Sequence, residues 1–414
     1  MFLWFFLTIC SYYVIRPVRT ALVLYDFGPE NLPWVYMGTG LAAGLAAYVF
    51  SKFSKARRRR LISGTLLFFT SNLVFWWWVA GESAARQAAG LGPLAWTSPV
   101  FYVWTDVFSV MAVTVFWMYA SDVFGKEGAK RTFGILAAAG PSGGAAGAWL
   151  TRTIVGELGP VDVVLVAAGI FASTLVLFLV IEAVTKGRSS IATAWQGKEN
   201  LDLRKLPEVV RQVLRSRLLW LIVIVVCFER IAPDMVDYVF QNTAKAHFPD
   251  KPSYAEFFAS FDMWRNILVL IGSLFVTPIL LTRGGPGPAL ISVPLSILIF
   301  GVAMLIVPSL GAVVVLKGFE EGQRHAWFKA GKETLYSATS RDVVYTIKGY
   351  IEMFLYRFSR GFAGFILLLV TLGLKMLDLA KYDIVVVTWI MLPMAVVWAW
   401  ACWQAGREFR KLDG

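Results

Sequence analysis

The sequence predicts an all-α polytopic membrane protein with twelve transmembrane helices. Three observations carry this. Of 414 residues, 57% are hydrophobic and only 16% charged, with a mean hydropathy of +0.64, against about 25% charge in an ordinary soluble domain. The apolar residues fall into runs of roughly the 20 positions one crossing needs, and a dozen such runs use about 240 positions, close to the hydrophobic fraction. The basic residues collect in alternate connections, so the formal charge of +12 and pI near 9.6 follow from the lysine and arginine bias of cytoplasmic loops rather than from nucleic acid. A typical soluble enzyme is excluded, and membrane transport is favoured.

In chain order the runs predict spans near residues 1–24, 33–51, 61–80, 99–123, 132–154, 161–183, 218–243, 257–281, 289–307, 310–333, 347–374 and 382–404. The first opens at Met1 without a basic flank or a small-residue cleavage site, so it reads as a retained helix rather than a secretory signal. One side of the membrane receives Lys52, Lys55 and Arg57 to Arg60, then Lys126, Lys130 and Arg131, the basic stretch Lys186 to Arg217, and Arg407, Arg410 and Lys411. The other receives only scattered Arg86, Lys245, Lys251, Lys375 and Lys381, which places both termini in the cytoplasm. The long charged connection 185–217 separates an N-terminal six-helix bundle, 1–184, from a C-terminal one, 218–414, with its short cytoplasmic tail. Within it, LPEVVRQVLRSRLLW has the amphipathic spacing of a helix on the membrane surface.

A charge at bilayer depth costs at least about 2.5–3.5 kcal/mol on insertion scales, so it faces a cavity or a partner rather than lipid. The first span carries Arg16 and Arg19, the fourth Asp106, the seventh Glu229, Arg230, Asp234 and Asp237, and the tenth Lys317, Glu320, Glu321, Arg324 and His325. The eighth and eleventh add Asp262, Arg265, Glu352, Arg357 and Arg360, whereas the third, sixth, ninth and twelfth have essentially none in their interiors. A period of three, with spans 1, 4, 7 and 10 lining a path, 2, 5, 8 and 11 flanking it and the rest facing lipid, is the arrangement of the major facilitator fold and its repeated halves. In the fifth span, GILAAAGPSGGAAGAWL brings Gly140, Gly143, Gly144 and Gly147 together around Pro141, which permits close helix packing, a hinge or gate, or both. These glycines follow no strand, so they are no phosphate loop. Cys10, Cys227 and Cys402 lie in apolar runs, and with only His247 and His325 present no metal set is expected. The tryptophans, Trp76 to Trp78 among them, belong to interfaces and lipid faces.

Several runs resemble a known family. YYVIRPVRTALVL, with Tyr13, Arg16 and Arg19, is similar to the first-helix motif of the nucleotide ATP/ADP translocase family of major-facilitator-like carriers, although Pro17 and Thr20 depart from it. FWMYASDVFGKEGAKRTFGILAAAGPSGGAAG, with Asp122, Lys130 and Arg131, resembles that family's fourth-to-fifth helix region. VDYVFQNTAKAHFPDKPSYAEFFASF and GQRHAWFKAGKETLYSATSRDVVYTIKGYIEMFLYRFSRGFAG, with Lys348, Glu352 and Arg357, resemble regions of its second half. The resemblance, to a divergent bacterial branch, implies exchange of ATP for ADP or of related nucleotides, with basic residues engaging phosphates.

The embedded charges admit two kinds of reading. Arg16 and Arg19, three apart on one face, offer planar forks that suit a phosphate, or they pair with carboxylates of the seventh or tenth span, or snorkel outward. Glu229, Arg230, Asp234 and Asp237 surround Pro233, as in many transporter sites, and serve as a coupling carboxylate set or an ion-pair network. On the tenth span Lys317 and Glu321, Glu320 and Arg324, and Glu321 and His325 stand four apart and neutralise one another. Arg357 and Arg360 share a face, with Glu352 less able to pair. Asp262, Arg265 and Asn266 read as a local pair, and Asp106 as a coupling site or an arginine partner. Eight embedded bases balance eight acids.

The expectation is a secondary active transporter working by alternating access and exchanging nucleotides or another phosphorylated or anionic metabolite. Alternatives are proton-coupled transport of a different small organic solute, and a non-transporting scaffold or sensor. Substrate-binding candidates are Tyr13, Arg16, Arg19, Arg357 and Arg360. Coupling or gating candidates are Asp106, Gly140, Pro141, Glu229, Arg230, Asp234, Asp237, Glu320 and Glu321. No enzyme, metal or cofactor is expected. The expected partners are a small-molecule substrate and the lipid bilayer, for a monomer in a bacterial inner membrane that binds no nucleic acid.

Overall fold

The computed structural model describes residues 1–52, 58–184, 206–338, 347, 348, 350, 351 and 355–413. Among the described residues every regular element is helical. The chain runs through α1 (Phe2–Asp26), α2 (Leu32–Lys52), α3 (Arg58–Ala88) and α4 (Thr97–Val184), then a short α5 (Leu206–Arg215) and α6 (Arg217–His247). It continues in α7 (Lys251–Gly284), α8 (Pro286–Ile306), α9 (Leu310–Gln323), α10 (Lys329–Ser337), α11 (Tyr356–Met376) and α12 (Asp383–Asp413).

Eight described helical stretches are long and apolar enough to cross a membrane. One of them, Thr132–Val184, spans 53 residues and holds two expected crossings on either side of Gly159, whose φ of 78° turns the chain. The three remaining expected crossings lie on α2, on α6 and on the run formed by α9 and α10. The last two carry the densest charge of the expected crossings. The protein is a multi-pass membrane protein. Glu352 and the linker residues 185–205 lie outside the described residues.

The 88 residues of α4 would reach about 130 Å if straight, several times the bilayer core. They fold back instead. The rings of Phe108 and Phe171 are 4.8 Å apart, and the Tyr119 hydroxyl donates to Glu182 Oε2 at 2.8 Å. Three stretches of α4 enclose α1. Arg19 donates to the Tyr102 carbonyl at 3.1 Å, Thr151 to the Val14 carbonyl at 3.0 Å, and Ser11 to the Ala167 carbonyl at 2.9 Å. Buried hydroxyls thus find backbone acceptors that lipid would not supply. The close approach is made by Gly143 and Gly147, where a Cβ would overlap the carbonyl oxygens of Phe6 and Cys10. Gly140 only meets the Phe5 ring, and Pro141 lies inside the continuous helix.

The contacts divide the described chain into two compact units. The first comprises Met1–Pro29, the described part of Leu45–Lys198, and Phe248–Ile267; the second comprises Glu30–Gly44, the described part of Glu199–His247, and Leu268–Gly414. Each unit therefore takes the opening half of one helix from the other half of the sequence. In the first unit, α7 enters beside Gly144, whose added Cβ would lie 2.7 Å from the Asn266 side chain. In the second, α2 lies against α11, where a Cβ on Gly364 would be 2.8 Å from the Pro33 carbonyl and one on Gly40 3.1 Å from that of Arg357.

Within the second unit, α8 and α12 meet at Gly287 and Gly406, and π-turns interrupt the helical runs at Gly272–Val276 and Arg324–Phe328. These turns face each other, because a Cβ on Gly272 would lie 3.1 Å from that of Ala326. The spans expected to be free of interior charge present apolar side chains outward, among them Leu67 and Trp78, Val176 and Val180, Ile299 and Ile306, and Trp389 and Val396. α1 exposes large hydrophobic residues only at its start, Phe2 and Leu3.

Packing through bare backbone makes Gly147→Ala destabilising by about 1–3 kcal/mol. Gly156→Ala, which has open space around it, should hold or raise the unfolding midpoint. Thermal unfolding of the two purified variants in one detergent checks the opposite signs.

Candidate functional site

The charges of the first unit centre on Asp262 of α7. Its Oδ1 accepts from Arg16 of α1 and lies 3.4 Å from Arg265 Nη1. Arg265 also donates to the Tyr13 hydroxyl at 2.5 Å. Both guanidinium groups lie over the Tyr13 ring, and Arg16 also lies over Phe258. Asp262 is fully buried and Arg265 2% exposed, whereas the Arg16 side chain is 11% exposed. Helical spacing explains the set: Asp262, Arg265 and Asn266 share one face of α7, and Asn266 donates to the Asp262 carbonyl at 2.8 Å. Asp262 thus meets two guanidinium groups at once. One turn along α1, Arg19 binds Asp106 and sits 4.2 Å over the Tyr102 ring and 5.6 Å from that of Tyr12. Asp106 is therefore an arginine partner. The carboxylate that Arg16 meets stands on the eighth expected span, and the one that Arg19 meets on the fourth.

The second unit gathers its charges around the Pro233 region of α6. Asp234 Oδ1 lies 3.1 Å from Arg230, and its Oδ2 3.9 Å from Arg360 Nε of α11. Asp237 is held by Lys317 of α9 at 3.0 Å, by the Tyr36 hydroxyl of α2 at 2.9 Å, and by Gln241. Glu320 accepts from Arg324 at 2.6 Å and lies 3.6 Å from Lys317. Glu321 lies 3.8 Å from Lys317, 4.0 Å from Arg324 and 3.9 Å from His325. Glu229 accepts from Lys332 of α10 at 2.7 Å, and both Lys332 and Arg230 lie over the Tyr356 ring.

Arg357 differs from all of these. It is half-buried and has no carboxylate within ion-pair distance among the described residues. Its neighbour one turn on, Arg360, lies over Tyr36 and faces Asp234.

The sequence reading missed Lys332, Tyr36 and Gln241. Lys332 stands at the expected end of the tenth span, where a lysine reads as an interfacial flank, yet it is buried and adds a cation that the charge balance omitted. Tyr36 and Gln241 are polar residues in apolar surroundings, a signal that becomes specific only once Asp237 is known to lie between them.

Against this geometry, the model of the TLC ATP/ADP transporter family matches residues 93–317, more than half of the chain. The chain belongs to the TLC ATP/ADP transporter family. A curated relative, ADP,ATP carrier protein 3 of Rickettsia felis, is 20% identical over 361 residues, covering 77% of this chain and 71% of the relative. Among solved structures, the nucleoside transporter NupG superposes with a TM-score of 0.69 at 13% identity over 97% of both chains. A bacterial homologue of the iron transporter ferroportin, in an inward-facing state, gives 0.66 at 11% identity over 96% of both chains. The fold is of the major facilitator type, and this member of the ATP/ADP transporter family is a carrier rather than an enzyme.

Removing one partner of a buried ion pair strands the other, at a cost of about 3–5 kcal/mol, whereas removing both leaves no orphan. Lys332→Met should therefore lower the unfolding midpoint sharply, and Lys332→Met combined with Glu229→Gln should recover most of it. Equal losses in the single and double variants would mean that the pair contributes only through packing.

Proposed function

We propose that this carrier exchanges nucleotides, ADP and ATP first among them, by alternating access, and that Arg357 receives a substrate phosphate. The observation that carries the reading is the contrast between Arg357 and the neighbouring cations. Lys317, Arg324, Lys332, Arg230 and Arg360 each face a protein carboxylate, while Arg357 has none among the described residues. A guanidinium kept at bilayer depth without a carboxylate is costly unless an anion arrives to use it, and its planar fork matches phosphate oxygens. Family membership supports the nucleotide, as does the name of the Rickettsia felis relative.

In the first unit taken by itself, Arg16, with its partly exposed side chain, and Tyr13 beside it are the candidates for an anion contact. Arg19 and Arg360 each face a carboxylate of their own unit, Asp106 and Asp234. The coupling and gating candidates divide accordingly. Glu229, Arg230, Asp234, Asp237, Glu320 and Glu321 form the ionic frame of the second unit, and Gly140 and Pro141 belong to the packing seam around Gly143 and Gly147. Because these carboxylates already have fixed cations as counter-ions, exchange of one substrate anion for another is favoured over proton coupling. The chain is read as a monomer in a bacterial inner membrane, with bundles 1–184 and 218–414, the cytoplasmic linker 185–217 and both termini cytoplasmic.

Arg357→Ala should cut nucleotide exchange in reconstituted vesicles by about 10- to 100-fold, the range expected when a hydrogen bond to a charged group is lost. Arg357→Lys should retain part of the rate, because the charge remains and the fork does not. Wild-type exchange in Arg357→Ala would remove this residue from the site.

A further inference from the structure

We propose that α5, together with the ends of α6 and α12 beside it, is a docking surface for the headgroups of anionic phospholipids. The inference is independent of which solute the carrier moves.

The residues of α5 divide by side. Val209 and Val213 are buried, while Val210 and Leu214, one turn apart on another face, are exposed, Leu214 by 66%. Arg211 and Arg215 are exposed next to that apolar strip. An apolar strip bordered by arginines suits a helix lying in the membrane interface, where the strip enters the acyl boundary and the long basic side chains reach the phosphates. α5 is also separate from the span that follows it. Its backbone run is interrupted at Ser216, whose hydroxyl accepts from the Leu219 N–H at 3.4 Å where α6 opens.

α12 brings a second basic set to the same place. Arg217 of α6, two residues beyond the end of α5, lies 3.3 Å from Glu408 Oε1 and donates to Gln404 at 3.4 Å. This pair sets α5 level with the end of α12, where Trp403 is exposed and Arg407 lies 4.8 Å over its ring. An exposed tryptophan near the end of a span belongs to the headgroup layer, so Arg407, Arg410 and α5 stand in or just beyond that layer.

The charge there is unbalanced. In residues 206–217 and 400–412 the acids are Glu208 and Glu408 alone. Glu408 is taken by Arg217 and by Lys411, the latter at 3.0 Å. Arg211, Arg215, Arg407 and Arg410 have no carboxylate within ion-pair distance among the described residues. Guanidinium groups so placed attract the phosphodiesters of an acidic leaflet. A soluble phosphate could use the arginines, but only a lipid also uses Val210 and Leu214, and this selects the lipid as occupant.

The test is native mass spectrometry of the purified full-length protein titrated with phosphatidylglycerol, with neutral phosphatidylcholine, and with phosphatidylglycerol in the presence of water-soluble glycerol phosphate. The wild type should bind phosphatidylglycerol about tenfold or more tightly than phosphatidylcholine, since one cation near an acidic lipid surface is worth about fivefold. Arg211→Gln, Arg215→Gln, Arg407→Gln and Arg410→Gln together should lower that preference by about tenfold or more. Lys375→Gln with Lys381→Gln, which removes exposed cations beside the opposite end of α12, should keep it. Leu214→Gln should weaken both lipids alike. Should the four-fold variant not fold, Arg211→Gln with Arg215→Gln on the surface helix alone should lower the preference by about fivefold or more. A preference that is absent in the wild type, unchanged in the folded arginine variants, or lost equally in the Lys375 and Lys381 variant overturns the proposal. Displacement of phosphatidylglycerol by an equal concentration of glycerol phosphate also overturns it, and would make the arginines a site for free phosphate.

Discussion

An ionised side chain in the middle of a bilayer must be compensated by another part of the protein, and this constraint organises both units. On insertion scales each uncompensated charge costs at least about 2.5–3.5 kcal/mol. The chain meets that cost with short ion pairs that also join helices: Arg19 to Asp106 between α1 and α4, Arg16 to Asp262 between α1 and α7, Lys317 to Asp237 between α9 and α6, and Lys332 to Glu229 between α10 and α6. The same residues that make the interior polar enough for an anionic solute therefore decide which helices are neighbours. Glycine makes the complementary contribution. Where Gly143 and Gly147 meet α1, and Gly40 and Gly364 join α2 to α11, the backbones approach with no room for a side chain between them.

These features also give the exchange of half-helices a physical reason. The opening part of α7 is held in the first unit by Asp262, Arg265 and Asn266, and the opening part of α2 in the second by Tyr36 and its glycine contacts with α11. Each is bound by a polar contact to the first helix of a sequence half and by a small-residue contact to a flanking helix. Two halves related by repetition would produce this correspondence, in keeping with the internal symmetry of the fold.

Much of the fold was legible because its signals are local. Apolar runs of crossing length marked the helices, and the gap between the expected spans 132–154 and 161–183 falls where Gly159 turns the chain. Side chains four apart on one helix, such as Arg230 with Asp234 and Glu320 with Arg324, were legible from helical spacing alone. The contacts between helices were not. Nothing in the spacing of Arg16 points to a carboxylate 246 positions away, and nothing around Glu229 points to Lys332. Asp262 and Arg265 looked like a self-contained pair, and only the packing of α7 on α1 turns them into part of a three-residue cluster. The contrast that singles out Arg357 likewise depends on knowing where every neighbouring charge finds its partner.

We read these paired interiors as built around a phosphate-bearing nucleotide. The most direct test is thermal stabilisation of the purified protein by a panel of nucleotides, sugar phosphates, amino acids and peptides, since a ligand that binds only the folded state raises its apparent stability. ADP and ATP should raise the unfolding midpoint in a concentration-dependent way while uncharged solutes and peptides leave it unchanged. Indifference to nucleotides, with stabilisation by a solute that lacks a phosphate, would contradict this reading.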